Sequence, residues 1–572
     1  MRIPRSSQFT QTNRSDIFGD LSGSFNLDLN TNVGKTRVNK MLTTTSGVDG
    51  VPVAIKSTGT LIYAVAGTKV YISAGLKANT SFTPDIAAGS PVDCDEGSDL
   101  EIFLSGIAVA ANSKLYYNNG SWTNNSLGFS GPYSMCVYAS TLYIAGAGGT
   151  IKKTTDGTTI AAALSAIAPD QEIMWIRAGA NRIWIGTVSI RNGKGQVLEW
   201  DGAAAQVTRS YRLETQGTLA CVIKDDVPWI FDTNGKLLVF SGGTFVEQAR
   251  FPLLDKILKG AFTTVTLGDK PLHKNGVTIS NGRINALLRN TLVDSTSSIP
   301  EICPSGIWEY SETIGLYHKY SLSYTPVGSN TITDYGQNRL SVPGALSEMK
   351  IGDTAATATG NLIAGATVFT DSSATTSSFF TNDTFEAVTG STGEKATQAF
   401  GYFVTTKIPA EGVQDTWQKL FAFHEKFLTA TDKIIVKYRY QEVKPTEASI
   451  TWLTTTAFTT STDVSAYVVG DEVEVTQGTG GGLCAHITDI QAGSGSSYIV
   501  TLEETFTGAT GTAKARFQKW KKAGVIQDDR TFGEVPLGDI SDWIQLKVAF
   551  LSTGKNELRN IELVNTTFKD YN

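Results

Sequence analysis

The chain has 572 residues, of which 41% are hydrophobic and 18% charged, and its formal net charge is −6. That length suits roughly two to four domains, although a single repeat domain can occupy several hundred residues. An acidic balance without a broad basic region argues against specific recognition of duplex DNA, which depends on neutralising phosphates.

The cysteines and the start of the chain predict the compartment in which the protein is made. Five cysteines are widely scattered and form no CxxC pair, so they are expected to be buried free thiols of a protein made in a reducing compartment. The residues after Met1 are polar and lack the apolar core of a secretory signal, and no run of about 18 apolar residues occurs. We therefore expect synthesis in the cytoplasm, no signal peptide and no membrane span.

Residues 1–45 are polar and are predicted to form an N-terminal arm. The alternating stretch from Ser24 to Leu29 predicts a single strand, which cannot bury its apolar face alone. One interpretation is that the arm docks on a neighbouring subunit, and the alternative is that it supplies the closing strand of the domain that follows. For the first interpretation, the candidate contact residues are Phe9, Phe18, Phe25, Leu27 and Leu29.

Residues 46–390 repeat one phrase, a short aromatic strand followed by a turn with glycine and another apolar residue. Clear copies occur at 115–122, 197–202 and 237–245. If five residues of this pattern are taken as equivalent points, the gaps between them are 45, 82, 40 and 70 residues, which are one or two units of about 40 residues. The five points are Tyr71, Tyr116, Leu198, Leu238 and Trp308. This period predicts a β-propeller of six or seven blades. The stretches 250–276 and 353–383 are predicted to be loops or insertions.

The pattern changes after about residue 397, where longer strands predict a C-terminal β-sandwich made of residues 397–452 and 520–572. Between these parts, residues 453–519 contain short strands, a glycine-rich turn and a hairpin. That order predicts an inserted small barrel of the SH3 or OB type. The predicted fold class is therefore all-β, with a propeller, a sandwich and an inserted barrel.

Few residues in the sequence suggest chemistry. The four histidines lie too far apart to predict a metal site, and no nucleophile elbow, P-loop or dinucleotide fingerprint occurs. Because glycosidases need two carboxylates roughly 5–10 Å apart, Asp95, Glu96, Asp225 and Asp226 are weak candidates, with solvated loops and hairpin turns as the simpler interpretation. The prediction is a non-enzyme with no catalytic residues, metal or cofactor.

Several of these features together resemble structural proteins of tailed-phage virions. They are the polar arm, the hairpins at Trp200-Asp201-Gly202 and Gly306–Tyr310, and the barrel sequences Val469–Val475 and Ala485–Ile490. The combination resembles the propeller-containing nozzle proteins, also called tail tubular B-like proteins, of short-tailed phages.

The resemblance implies a subunit of the virion tail, at the tail channel or tail tip, that forms a homo-oligomeric ring and contributes to assembly and DNA ejection. A hexamer is one candidate order for the ring. The implied partners are other tail or adaptor proteins, with tail fibres as a further candidate, and no specific nucleic-acid sequence. Two alternatives stay open, a receptor-binding tail protein that recognises a host surface glycan and, with less support, a propeller glycosidase.

Overall fold

A computed structural model shows that the chain is built almost entirely of β-strands. In the part of the chain that it describes, the one helical segment is a short 3₁₀ turn at Ala147–Gly149, and no helix is long and apolar enough to cross a membrane. The described residues are 21–25, 27–28, 37–38, 43–57, 61–73, 83–84, 94–95, 97–164, 167–191, 193–250, 272–288, 291–292, 302–303, 306–312, 315–322, 342–348, 362–369, 375–381, 400–405, 407–410, 414–424, 433–441, 443, 445–477, 484–506, 509–527, 531–551 and 558–568.

The described residues between 43 and 381 form seven four-stranded antiparallel sheets, which are the blades of a propeller. From the innermost strand outwards, blade 1 is Pro52–Ser57, Ile62–Ala66, Lys69–Ser73 and Thr83–Pro84; blade 2 is Asp99–Phe103, Gly106–Ala111, Lys114–Asn118 and Trp122–Ser126; blade 3 is Ser134–Tyr138, Thr141–Ala145, Ile151–Thr154 and Ala161–Leu164; blade 4 is Gln171–Ala178, Ile183–Ser189, Gln196–Trp200 and Arg209–Arg212. Blade 5 is Thr218–Lys224, Val227–Asp232, Lys236–Ser241 and Thr244–Arg250; blade 6 is Leu272–Ser280, Arg283–Leu288, Gly306–Ser311 and Gly315–Ser321; blade 7 is Val342–Glu348, Leu362–Phe369, Thr375–Thr381 and Thr43–Gly47.

The ring is closed by a strand from the N-terminal side of the chain. Thr43–Gly47 is the outermost strand of blade 7 and pairs antiparallel with Thr375–Thr381, and the innermost strands of blades 7 and 1 are in contact. Two glycines of blade 7, one on its innermost strand and one on its second strand, allow it to approach Pro52 of blade 1. An added Cβ would lie 2.0 Å from the Pro52 carbonyl oxygen at Gly344 and 2.3 Å from Pro52 Cβ at Gly365. Blade 7 thus joins chain segments more than 300 residues apart.

Blade 7 corrects one expectation, because 353–383 was predicted to be a loop or insertion and contains two of its strands. Leu362, Ile363, Ala364 and Ala366 are all buried. A strand covered on both faces shows no alternation of polar and apolar residues, and its small side chains give a weak strand signal. The same holds for the end of the predicted loop 250–276, where the inner strand of blade 6 begins at Leu272.

The C-terminal part is a β-sandwich of two sheets. Its core includes Trp417, Leu420, Val436, Val548 and Phe550. The larger sheet has the strand order Leu21–Phe25, Phe400–Thr405, Trp543–Leu551, Lys433–Arg439 and Lys521–Ile526, with Ile408–Pro409 also paired to Trp543–Leu551, and the smaller sheet has the order Phe532–Ser541, Gln414–His424 and Leu558–Phe568.

A closed six-stranded barrel is inserted between two sandwich strands, Lys433–Arg439 and Lys521–Ile526. Its own apolar core includes Ile450, Phe458 and Phe517. Around the barrel the strands are Thr446–Thr454, Ala457–Thr460, Tyr498–Leu502, Cys484–Ala492, Glu472–Gln477 and Thr512–Gln518. The predicted fold class is confirmed.

Two short two-stranded ladders complete the described structure. Leu27–Asp28 pairs with Arg37–Val38, and Thr291–Leu292 pairs with Ile302–Cys303. Burial is described for three of the five cysteines, Cys94, Cys136 and Cys221, and these are buried thiols outside any disulfide, as expected.

Candidate functional site

The predicted carboxylates serve local turns where the structure describes them. Asp95 Oδ1 accepts hydrogen bonds from Gly97 N and Ser98 Oγ, both at 2.9 Å, while Glu96 lies outside the described residues. Asp225 and Asp226 form a two-residue hairpin turn with φ of 52° and 63°, and Asp226 Oδ1 accepts a 2.5 Å bond from Ala180 N of the adjacent blade. Through these hydrogen bonds, Asp95 stabilises its own turn and Asp226 stabilises the contact between two blades.

The predicted arm residues fall only in part within the described chain. Phe9, Phe18 and Leu29 lie outside it. Phe25 is in the strand that pairs with Phe400–Thr405 of the same chain, opposite Tyr402, and Leu27 is opposite Val38. The structure holds one chain, so the role of these residues between subunits stays a prediction.

The centre of the propeller is crossed by a polar cluster of Asp99, Arg177 and Asn275, here called the central polar cluster. Asn275 lies in a bulge of the innermost strand of blade 6, where the pairing register shifts between Leu272 and Val277. Its Nδ2 donates to the Val53 carbonyl at 3.0 Å and to Asp99 Oδ1 at 2.8 Å. One side chain therefore reaches the innermost strands of blades 1 and 2 from blade 6.

Arg177 completes the crossing from the innermost strand of blade 4. Its Nη2 donates to Asn275 Oδ1 at 3.0 Å, its Nη1 to Ser134 Oγ at 3.5 Å and its Nε to the Cys221 carbonyl at 3.3 Å. Together, Arg177 and Asn275 bond to the innermost strands of blades 1 to 6. Side chains that bond to six blades must lie on the propeller axis. The central polar cluster therefore fills the centre of the propeller and holds the blades together.

A cavity of about 420 Å³ lies beside the central polar cluster. Its lining includes Lys56, Arg177, Asn275 and Glu348 from the innermost strands of four blades. Lys56 Nζ is 2.8 Å from Glu101 Oε2, and Arg177 is fully engaged in the central polar cluster. None of Asp95, Asp225 and Asp226 lines the cavity, so these three predicted carboxylates do not meet there.

The sequence repeat also encodes a charged cluster that recurs in two blades. In blade 4, Arg182 Nη1 lies 2.6 Å from Glu199 Oε1, and Tyr211 Oη donates to Glu199 Oε2 at 2.9 Å. In blade 6, Arg283 Nη1 lies 2.7 Å from Glu309 Oε1, and Tyr317 donates to the same carboxylate. Each cluster joins the second, third and fourth strands, so these glutamates stabilise the blades.

The most extensive buried charge in the described chain lies between the barrel and the sandwich. Glu472 on the barrel accepts hydrogen bonds from Lys437 and, at 2.9 Å, from Lys547, both on sandwich strands. The side chains of all three are at most 4% exposed. Burial raises the pKa of Glu472, but the charges of Lys437 and Lys547 outweigh burial and lower it below the usual value. The barrel is thus joined to the sandwich by a charged triad without access to water.

Glu474 stands two residues along the same barrel strand and has weaker partners. Gln518 Nε2 donates to its Oε2 at 2.9 Å, and Arg516 Nη1 lies 3.9 Å from the same oxygen. Its Oε1 is buried without a hydrogen-bond partner. Burial raises the pKa of Glu474 to about 7, although the charge of Arg516 acts in the opposite direction.

Because the pKa of Glu474 is higher in the folded chain than in the unfolded chain, the stability of the protein should depend on pH. An unfolded glutamate titrates near 4.5, so between pH 4.5 and 7 the folded chain holds a proton that the unfolded chain releases. Stability from this group is therefore highest below pH 4.5, falls by about 3 kcal/mol as pH rises through 7, and stays lower above it. We expect Glu474→Gln, which keeps an acceptor for Gln518, to remove this fall in urea unfolding measured at pH 5 and pH 8.

The matched control is Glu447→Gln, because Glu447 also accepts a bond from Arg516, at 2.5 Å, but is 41% exposed. Burial and Lys437 lower the pKa of buried His486, so its effect on stability with rising pH has the opposite sign, and the comparison uses the difference between each variant and the parent. An unchanged slope in Glu474→Gln would contradict the assignment.

One group of side chains beside this region has the composition of a metal site. Ligand atoms of His486, Glu503 and Glu504 lie within 4.8 Å of one another. However, Lys522 Nζ lies 2.9 Å from Glu503 Oε1 and 3.3 Å from Glu504 Oε1, so both carboxylates already share an ammonium as their ion-pair partner. Burial raises the pKa of Glu504, yet its hydrogen bonds to His486 and the charges of His486 and Lys522 together outweigh burial and lower the pKa to about 2. The residues fit an ion cluster better than a metal centre.

The barrel also carries an open groove of about 850 Å³. It is lined mainly by hydroxyl groups and includes one lysine. The residues that line it include Ser449, Thr451, Thr459, Ser497, Thr512 and Lys514.

The buried glutamates of the barrel were not predicted from the sequence, although their strand carries a signal. In Glu472-Val473-Glu474-Val475 the valines point into the barrel core, so the glutamates share the opposite face. Glutamate is seldom buried without a partner. Two of them in a strand of a small inserted barrel indicate that this face meets either water or buried cations, and the sequence alone does not distinguish these.

Comparison with known proteins gives the fold alone. No protein-family model matches the chain, and no curated protein matches it. Among solved structures it is similar to the computationally designed protein Ika8, with 12% identity, a TM-score of 0.34, and coverage of 60% of this chain and 99% of that one.

Two further similar structures are natural propeller domains. The WD40 β-propeller domain of Doa1 is 10% identical, with a TM-score of 0.39 and coverage of 60% of this chain and 97% of that one. The β-propeller domain of Cps50 (Swd1) from Myceliophteria thermophila is 9% identical, with a TM-score of 0.36 and coverage of 56% and 96%. At these identities the likeness concerns the β-propeller fold and nothing of function.

Proposed function

We propose that this chain is a non-catalytic structural subunit of a bacteriophage tail that assembles into an oligomeric ring, as a nozzle or tail-tip component, and contributes to virion assembly and DNA ejection. The proposal starts from the resemblance of the domain plan to nozzle proteins. It places the protein in the virion tail, with further copies of itself and other tail or adaptor proteins as partners.

The observation that carries the proposal is the position of the N-terminal strand. Leu21–Phe25 pairs with Phe400–Thr405 at the edge of the larger sandwich sheet. The two strands lie far apart in the sequence. A terminal strand held at a sheet edge by main-chain pairing is the element that subunits exchange when they assemble. The arm therefore has a docking geometry that suits assembly.

Two further features support a structural role. The propeller centre is tied together by the central polar cluster, which favours a rigid body. The net charge of −6 suits a ring through which DNA passes, because like charge disfavours adhesion of the polyanion.

The test is the mass of the full-length protein by light scattering over a range of concentrations, beside a variant that lacks residues 1–30. We expect a closed ring of about six copies that falls to a monomer on truncation. The truncation keeps the closing strand Thr43–Gly47, so the propeller itself stays complete. A full-length protein that is monomeric throughout, or a trimer indifferent to truncation, would contradict the ring.

A receptor-binding protein is the second candidate, and the barrel groove favours it. Hydroxyl groups such as those of Ser449, Thr451 and Thr512 both donate and accept hydrogen bonds, which suits a neutral polar ligand such as a host glycan. Absence of any signal from the full-length protein on a glycan array, with no competition for host adsorption, would remove this candidate.

A further inference from the structure

The strand Phe400–Thr405 would be a sheet edge if the N-terminal strand did not cover it. In the larger sandwich sheet, Phe400–Thr405 pairs with Trp543–Leu551 on one side and with Leu21–Phe25 on the other. Without Leu21–Phe25, it would present a row of unpaired N–H and C=O groups. This edge therefore needs a strand from some chain.

The acceptor strand is firmly fixed to the sandwich. Thr405 Oγ1 accepts a 3.0 Å bond from Leu546 N, and the Thr405 carbonyl accepts a 2.6 Å bond from Gln545 Nε2. Phe403 and Val404 are buried, and Phe403 belongs to the sandwich core. The acceptor stays in place whichever copy supplies the donor strand.

The donor strand is attached by a long connection. Seventeen residues, 26 to 42, separate Phe25 from Thr43 in blade 7. Fully extended they reach about 55 Å. The ladder between Leu27–Asp28 and Arg37–Val38 lies within this connection, and two residues a side is too short for independent stability. The donor can leave its own edge without disturbing the closure of the propeller.

We propose that in the assembled ring Leu21–Phe25 of each copy pairs with Phe400–Thr405 of the next copy, in the antiparallel register that places Ser24 opposite Phe403 and Phe25 opposite Tyr402. This inference rests on the proposed function, since it names the surface that holds the ring. The strand makes the same contacts within one chain or between chains, so its exchange costs little free energy at the sheet edge. A head-to-tail contact of this kind gives a closed ring when the rotation from copy to copy adds up to a full turn.

The test uses two variants of the full-length protein that each add one cysteine to the native five, Phe25→Cys and Tyr402→Cys, carrying different affinity tags, co-expressed and oxidised. Directly opposed positions in an antiparallel pair are close enough for a disulfide. We expect a covalent dimer that carries both tags, is lost on reduction and is absent from either variant alone. The matched control is Ser24→Cys with Tyr402→Cys, because successive residues of a strand point to opposite faces, and it should give no dimer.

The double variant Phe25→Cys/Tyr402→Cys distinguishes the two arrangements in one chain. A ladder of covalent oligomers on a non-reducing gel supports exchange. A disulfide confined to the monomer band, or none in any combination, overturns it. If light scattering still shows a ring in that case, the proposed function stands without the exchange, whereas a monomer with an internal disulfide removes both.

Discussion

Replacing Glu472 by alanine is expected to lower the free energy of unfolding of the sandwich and barrel by about 3–5 kcal/mol, because it leaves two buried ammonium groups without a counter-charge. Lys437 and Lys547 come from neighbouring sandwich strands, and both side chains are at most 4% exposed. Water cannot replace the missing carboxylate, so the folded state carries the full cost of both charges. Without the Glu472 carboxylate, the barrel should also lose its attachment to the sandwich.

The measurement is urea unfolding of the full chain, together with hydrogen–deuterium exchange of the barrel strand that contains residue 472. The matched control is Glu534→Ala, since Glu534 forms a 3.0 Å pair with Lys419 whose side chains are 48% and 37% exposed. An exposed pair contributes about 0–1 kcal/mol. Equal losses in the two variants would show that water reaches the two lysines.

A triple replacement tests whether the charges themselves stabilise the junction. Glu472→Leu with Lys437→Met and Lys547→Met removes both signs of charge at once. Such apolar replacements of buried ion clusters are often neutral or stabilising by about 1–4 kcal/mol. If the triple variant recovers the stability that Glu472→Ala loses, the glutamate acts by satisfying the lysines, and the cluster fixes how the barrel docks.

The sequence predicts these modules well where alternation and turn residues are local. Hairpin turns such as Asp225-Asp226, where both residues adopt positive φ, follow from short-range chemistry. Strands such as Lys433–Arg439 follow from their residue types. Both signals lie within a few residues of the element that they specify, so no long-range information is needed.

The parts that sequence reasoning did not predict depend on distant partners. Asn275 acts by reaching Val53 and Asp99, 222 and 176 residues away, and nothing near it in the sequence indicates a place on the propeller axis. Lys437 and Lys547 stand in apolar strands as if they faced water, and the barrel that covers them is inserted between them in the chain. The stretch 353–383 lacked alternation because its strands are covered on both faces.

The last prediction concerns Thr43–Gly47, the strand that closes the propeller. We expect deletion of residues 1–47 to destabilise the propeller by about 3–5 kcal/mol relative to deletion of residues 1–42, because each lost ladder hydrogen bond contributes about 1 kcal/mol and blade 7 also loses its cover. Gly47, Thr44 and Thr43 pair with Ser378, Phe380 and Thr381.

The two deletions differ by five residues and both remove the arm, so arm docking cancels in the comparison. Scanning calorimetry of each variant should show a lower propeller transition only where Thr43–Gly47 is missing, and a peptide of residues 40–50 added in excess should raise it again by binding the folded state. Equal transitions would mean that blade 7 holds without its outer strand. A lower transition restored by the peptide would show that the N-terminal segment closes the propeller through residues 43–47.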